Sequence, residues 1–252
     1  MAEPNWQSLG TKEISITVKA ANVNEPAISI SLDKTSAYPD ETVTVTATIT
    51  NPNTNYDATG GELVIYANVN NALATIIDKS GLSVPAGKSI TVTATFTPDS
   101  IGMTTNGIIK NATIYALGKF TVGGNTFDSI KSNEVDFTMK LYQITVSTPS
   151  FTLLKNGQPF SGGDVYDTDT LGTEVDYSVN TPKSGEPAQG SIKFETVVKD
   201  GSGNTVYDQS TTKGYSTVKS SESDKLTLAI GKLNPGSYTI NMTLYSAYEV
   251  VS

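Results

Sequence analysis

From Thr42 to Thr50 every second residue is threonine, and Val43, Val45, Ala47 and Ile49 fill the positions between. The stretch 88–98, KSITVTATFTP, repeats the scheme with Ile90, Val92, Ala94 and Phe96. Alternation this strict predicts half-buried strands, with apolar side chains on a core and threonines on the other face. Segments of the same character recur at 27–33, 62–69, 73–78, 108–117 and 134–140. A second series follows at 142–154, 173–180, 190–199, 204–209, 225–230 and 236–245. Turn-forming stretches such as YPDE, VPAGK and VGGN separate them. No helical period of useful length interrupts the series, so the expected fold class is all-β.

Seven or so short strands in the first half match the pattern of an immunoglobulin-like sandwich. In that topology the second and fifth strands are neighbours, so VTVTATIT and ITVTATFT should pair, with their threonines forming an outward ladder. In the second half, KLNPGSYTINMTL is a turn feeding a long strand with an early tyrosine, Tyr238. It resembles the start of the sixth strand in immunoglobulin-like and fibronectin-like domains. Both halves resemble the tandem Ig-like (CARDB-type) domains of archaeal and bacterial surface proteins and of some virion spikes. The expected organisation is an N-terminal arm with an extra strand (1–25), a first antiparallel β-sandwich (26–141) and a second (142–252).

The chain ends disturb this regularity. EISITVK at 13–19 and EVDFTMK at 134–140 share three of seven residues and the same inward positions. Ile14, Ile16 and Val18 stand where Val135, Phe137 and Met139 stand in the second copy. The second copy sits where a last strand should close the first sandwich. The first copy is then a closing strand with no sandwich before it. The second sandwich has only SAYEVVS left after its sixth strand. A sandwich without its edge strand exposes apolar side chains and unpaired backbone groups, and both attract a partner strand. Ile14, Ile16 and Val18 are therefore candidate residues of strand exchange between copies. Three other readings stay open: pairing of 13–19 within the first sandwich, closure of the second by 247–252, and a chain that is one piece of a longer array.

Composition narrows the chemistry. The chain has no Cys, no His and no Arg. That removes disulfides, thiolate chemistry, the usual base near neutral pH and the bidentate phosphate fork. A net charge of −8 argues against nucleic acid, whose affinity rests on phosphate contacts. No apolar run is long enough for a membrane span, and the first residues carry no secretory leader pattern.

The densest carboxylate group, in GGDVYDTDTLGTEVDY, could hold calcium through Asp167, Asp169 and Glu174, or could be turn chemistry. A paired-carboxylate hydrolase is the more remote alternative. Asn111 in NAT and Asn241 in NMT fit the N-glycosylation pattern, usable only if their side chains face outward. Trp6 lies outside any strand and suits an anchoring contact.

The expected function is that of a non-catalytic structural subunit needing no cofactor, on a virion surface or an extracellular cell envelope. Its partners would be copies of itself and other coat or envelope proteins. The alternatives are a carbohydrate-binding adhesin for host glycans and an accessory module of a secreted enzyme.

Overall fold

The computed structural model describes residues 7–8, 10–16, 22–105 and 107–251. Among these the protein is all-β, with no helix. The front unit contains β1 (Ala27–Leu32), β2 (Ser36–Ala37), β3 (Val43–Thr50), β4 (Ala58–Val69), β5 (Ala72–Val84), β6 (Ser89–Phe96), β7 (Asn111–Val122), β8 (Asn125–Lys131) and β9 (Val135–Met139). The rear unit contains β10 (Tyr142–Gln143), β11 (Thr145–Val146), β12 (Ser150–Lys155), β13 (Gln158–Pro159), β14 (Leu171–Asn180), β15 (Ala188–Asp200), β16 (Thr205–Val218), β17 (Glu222–Gly231) and β18 (Tyr238–Ala247).

In the front unit β1, β3 and β6 form one sheet in that order. The other sheet runs β2-β9-β7-β4-β5, with β8 also paired to β7. The two threonine-rich strands are neighbours. Thr44, Thr46 and Thr48 of β3 lie opposite Thr95, Thr93 and Thr91 of β6, and the Thr50 and Ser89 hydroxyls bond at 2.8 Å. The intervening Val43, Val45, Ala47 and Ile49 are fully buried. They pack with Leu63, Ile65, Ile114, Phe120 and Phe137 of the other sheet in one cluster. The β9 strand completes this cluster: it pairs with β7 on one side and, through two residues, with β2 on the other.

The rear unit has the same number of strands around a smaller buried cluster. One sheet holds β12, β14 and β17, extended by β11 and β13; the other holds β16, β15 and β18, with β10 paired to the start of β15. Its cluster centres on Val175, Tyr177, Val179, Ile192 and Phe194. A buried hydroxyl pair, Thr173 and Thr196 at 2.7 Å, takes the place of apolar contacts within it.

Only Lys140 and Leu141 separate β9 from β10, and the junction is packed rather than extended. Leu141 and Ile144 are buried. Tyr38 stacks on Tyr142 with ring centres 4.4 Å apart, and the Tyr142 hydroxyl donates to Asp40 at 2.8 Å. Lys183 pairs with the other oxygen of Asp40, and Lys110 donates to the Gln189 side chain at 2.8 Å.

Some expectations are corrected. The extra strand at 13–19 is not formed over its described residues, 13–16, and 17–19 lie outside the described residues. The single strand expected over 142–154 is three short ones, because the chain crosses between sheets: β10 pairs with β15, whereas β11 and β12 pair with β14. The strand β8 was not anticipated. It forms a hairpin with an extended β7 across Gly123 and Gly124.

Candidate assembly interface

In the front unit β7 has β4 on one side and β9 on the other. Its inward side chains, Ala112, Ile114 and Ala116, are buried. The β9 side chains Phe137 and Met139, each 1 % exposed, close the space beside them. The corresponding strand of the rear unit is β18. It pairs with β15 alone, along its whole length from Ser191↔Ala247 to Asp200↔Tyr238. No described strand takes its other edge. Its inward row, Ile240, Met242 and Leu244, is accordingly only half-buried. Across the gap, on the facing sheet, Phe151 of β12 is 39 % exposed and Leu153 is half-buried.

The open side therefore runs between β18 and β12 as an apolar trough. At one end is a depression of about 200 Å³ walled by Leu153, Tyr166, Leu171, Pro235, Tyr238 and Ile240. At the other end Val146, Pro149 and Leu244 bound a second hollow. Unpaired ladder groups on one wall and half-covered aliphatic side chains on both are what an added strand satisfies.

The C-terminal residues do not fill the trough. After Ala247 the chain turns across the outer face of β15 and β16. The Ser191 hydroxyl donates to the Glu249 carbonyl at 2.7 Å and accepts the Val251 N–H at 2.8 Å. Gly214 permits this course, since a Cβ there would collide with the Val251 carbonyl oxygen. Closure of the rear unit by 247–252 is thus not seen over the described residues.

At the other end of the chain Ile14 and Ile16 are 69 % and 80 % exposed, so this segment does not pair within the front unit over its described residues. Val18 and Trp6 lie outside the described residues.

The carboxylates singled out from the sequence are not gathered. Asp169 accepts the Tyr166 N–H at 2.9 Å and the Asn156 amide at 2.7 Å, and pairs with Lys155 at 3.0 Å. Glu174 projects from β14 and pairs with Lys225 at 2.7 Å. Asp167 lines the rim of the depression at the Tyr238 end. Among the described residues no three acidic side chains are placed to share one ion. Asn111 and Asn241 both expose their side chains, which is the condition set for them as acceptors.

The bonds at Asp169, led by the Tyr166 N–H, hold its carboxyl at a pKa of about 2, below its ordinary 3.8. A depressed carboxylate stabilises above its unfolded value, and that contribution fades as pH falls through the folded value. The loop carrying Tyr166 should therefore loosen between pH 3.8 and about 2. Asp169→Asn should abolish this acid step, as read by exchange of the Tyr166 amide.

A second polar cluster lies deeper. The Tyr177 and Tyr215 hydroxyls bond at 2.8 Å, Tyr215 donates to Asp224 at 2.6 Å, and Asp224 pairs with Lys213. Burial, reinforced by the Asp224 bond, holds the Tyr215 hydroxyl far above its ordinary value, so it stays protonated. Sequence spacing gives no signal for this network, whose members come from three strands.

No protein-family model matches the chain, and no curated protein matches it. Solved structures give loose likenesses. The sporulation control protein Spo0M from Bacillus subtilis matches at 11 % identity over 68 % of this chain and 79 % of its own, with a TM-score of 0.32. Red sea bream transglutaminase matches at 12 % identity over 88 % of this chain and 31 % of its own, with a TM-score of 0.34. Salmonella alpha-2-macroglobulin reacted with methylamine matches at 12 % identity over 88 % of this chain and 16 % of its own, with a TM-score of 0.29. Likeness at this level is common to β-rich proteins of unrelated activity.

Proposed function

We propose that the chain is a non-catalytic structural subunit of a surface assembly, built as two tandem Ig-like sandwiches and joined to its neighbours by strand addition. The observation that carries this reading is the edge of β18 that no described strand takes, with its half-buried row Ile240, Met242 and Leu244. The segment EISITVK at 13–19 is the fitting occupant, because it repeats the pattern of the strand that closes the front unit. Burying three such apolar side chains contributes on the order of 1.5–3 kcal/mol each. Each ladder bond adds roughly 0.5–1.5 kcal/mol net. The setting is a virion surface or an archaeal-type envelope or filament, where a Cys-free β-chain of net charge −8 stays soluble until it assembles.

Light scattering on the full chain and on a chain lacking residues 1–20 tests the reading. The full chain should be multimeric and the shortened one monomeric, with the same far-UV circular dichroism. Equal sizes would remove the proposal.

One surface favours the adhesin alternative. Asn68, Asn70, Asn111, Thr113, Asp136 and Thr138 line a polar groove on the front unit, beside the tilted pair Tyr66 and Tyr115. The Asn68 side-chain oxygen there is buried without a partner. In that reading the chain is a monomer that binds neutral sugars through this groove.

A further inference from the structure

We infer that segment 13–19 serves the rear unit of another copy and never its own, so that assembly is head-to-tail. This rests on the strand-addition reading and adds the identity of the partner and the polarity of the contact.

The argument is one of reach. The arm is rooted at the end of the front unit that points away from the rear unit. The Asn24 N–H donates to the buried Asn53 side chain at 2.7 Å, and the Asn53 amide donates back to the Asn24 carbonyl at 2.8 Å. Val23 sits against the hairpin at Gly123, at the end of β7. The junction with the rear unit lies at the opposite end, where Asp40, Lys110 and Tyr142 meet Lys183 and Gln189.

The 12 residues of β7 run from the junction at Asn111 to the root at Val122. At the usual rise this is roughly 35 Å. From Lys19 to Asn24 the chain can reach at most about 18 Å even when fully extended. The trough begins beyond the junction and leads farther away still: the Tyr248 hydroxyl touches the Leu141 carbonyl, and β18 runs back from there to Tyr238. A chain therefore cannot supply its own rear unit from this arm. A neighbour can, if its root end meets the far end of the rear unit.

The polarity follows from the same layout. In the front unit β9 lies antiparallel to β7, with Val135 opposite Ile114 and Phe137 opposite Ala112. An antiparallel donor on β18 puts Ile14, Ile16 and Val18 beside Leu244, Met242 and Ile240, three apolar positions against three. It also delivers Lys19 to the Tyr238 end, where the donor's own front unit must begin. Such a contact uses two different patches at opposite ends of the chain, so copies add head-to-tail, as a line or, where the rotation per copy closes, a ring.

The absence of cysteine makes a direct test available. One chain carries Ser15→Cys and a second carries Thr243→Cys, both on the outward faces of their segments. Opposed pairs in an antiparallel ladder lie within disulfide range. Mixed under mild oxidation, the two variants should give the hetero-disulfide dimer. A Thr239→Cys partner, displaced four residues along β18, should give far less. Preferential linkage to Thr239→Cys would overturn this register. A doubly substituted chain that closes on itself as a monomer, with no linkage between the mixed single variants, would overturn the inference between copies. That result, with assembly still lost on removing residues 1–20, leaves strand addition standing. If removal of 1–20 leaves the multimer intact and no pair links, the strand-addition reading itself has failed.

Discussion

A peptide with the sequence of residues 10–20, added to the chain lacking residues 1–20, will raise the melting temperature of the rear unit and leave that of the front unit unchanged. The asymmetry comes from what each unit already holds. In the front unit Phe137 and Met139 of β9 cover the inner side chains of β7. In the rear unit Ile240, Met242, Leu244 and Phe151 remain partly in water, and the outer edge of β18 has no described partner. A ligand that binds only the folded form at a hundredfold over its dissociation constant stabilises by about 2.7 kcal/mol. For a unit of this size that is a rise of roughly 10 °C. The same peptide with Ile16→Asp should give almost none of it, because a carboxylate would be placed against Met242 without a partner. Differential scanning calorimetry resolves the two units. An equal rise in both, or the same rise with the aspartate peptide, would contradict the mechanism.

Phe194→Ala will unfold the rear unit selectively and abolish assembly with it. Phe194 is fully buried at the centre of the smaller cluster, 6.3 Å from the Phe151 ring on the facing strand. Truncating a buried phenylalanine costs about 3–5 kcal/mol. A domain of ordinary stability has only about 5–15 kcal/mol in all, and one with an open side lies toward the low end. The front cluster, with its own Phe120, Phe137 and Leu63, does not depend on Phe194. Calorimetry should show the front transition in place and the rear one lost or shifted far down. Limited proteolysis should yield a resistant fragment ending near Leu141. A single transition moving as one would show that the junction couples the units more strongly than their cores separate them.

The all-β character and the pairing of the two threonine-rich strands were legible in the sequence because both rest on period-two alternation, which burial of one face enforces. Val43 to Ile49 and Val92 to Phe96 turn inward as the pattern requires. The strand β8 was missed because NTFDSIK buries only Ile130 and so carries almost no alternation. The break in 142–154 was missed for the opposite reason. Its apolar positions continue evenly while the backbone leaves one sheet for the other around Ile144, a long-range matter set by Gln189 and Asn180.

At the candidate interface, a count of strands was enough to flag a vacancy beside the last one. It could not show the C-terminal residues lying across β15 under the grip of Ser191. Nor could spacing show that Lys155 and Lys225, distant in the chain, already engage Asp169 and Glu174.

The course of β18 has a mechanical consequence. It runs from the junction, where Tyr248 meets Leu141, to the far tip of the rear unit, so in the proposed assembly its direction would follow the line joining successive copies. A pull on a string of such copies would load an inserted strand in shear along its length. Every rung of that ladder would then share the force together, instead of parting one after another as in a peeling hairpin. A joint of this kind withstands drag best along its own axis.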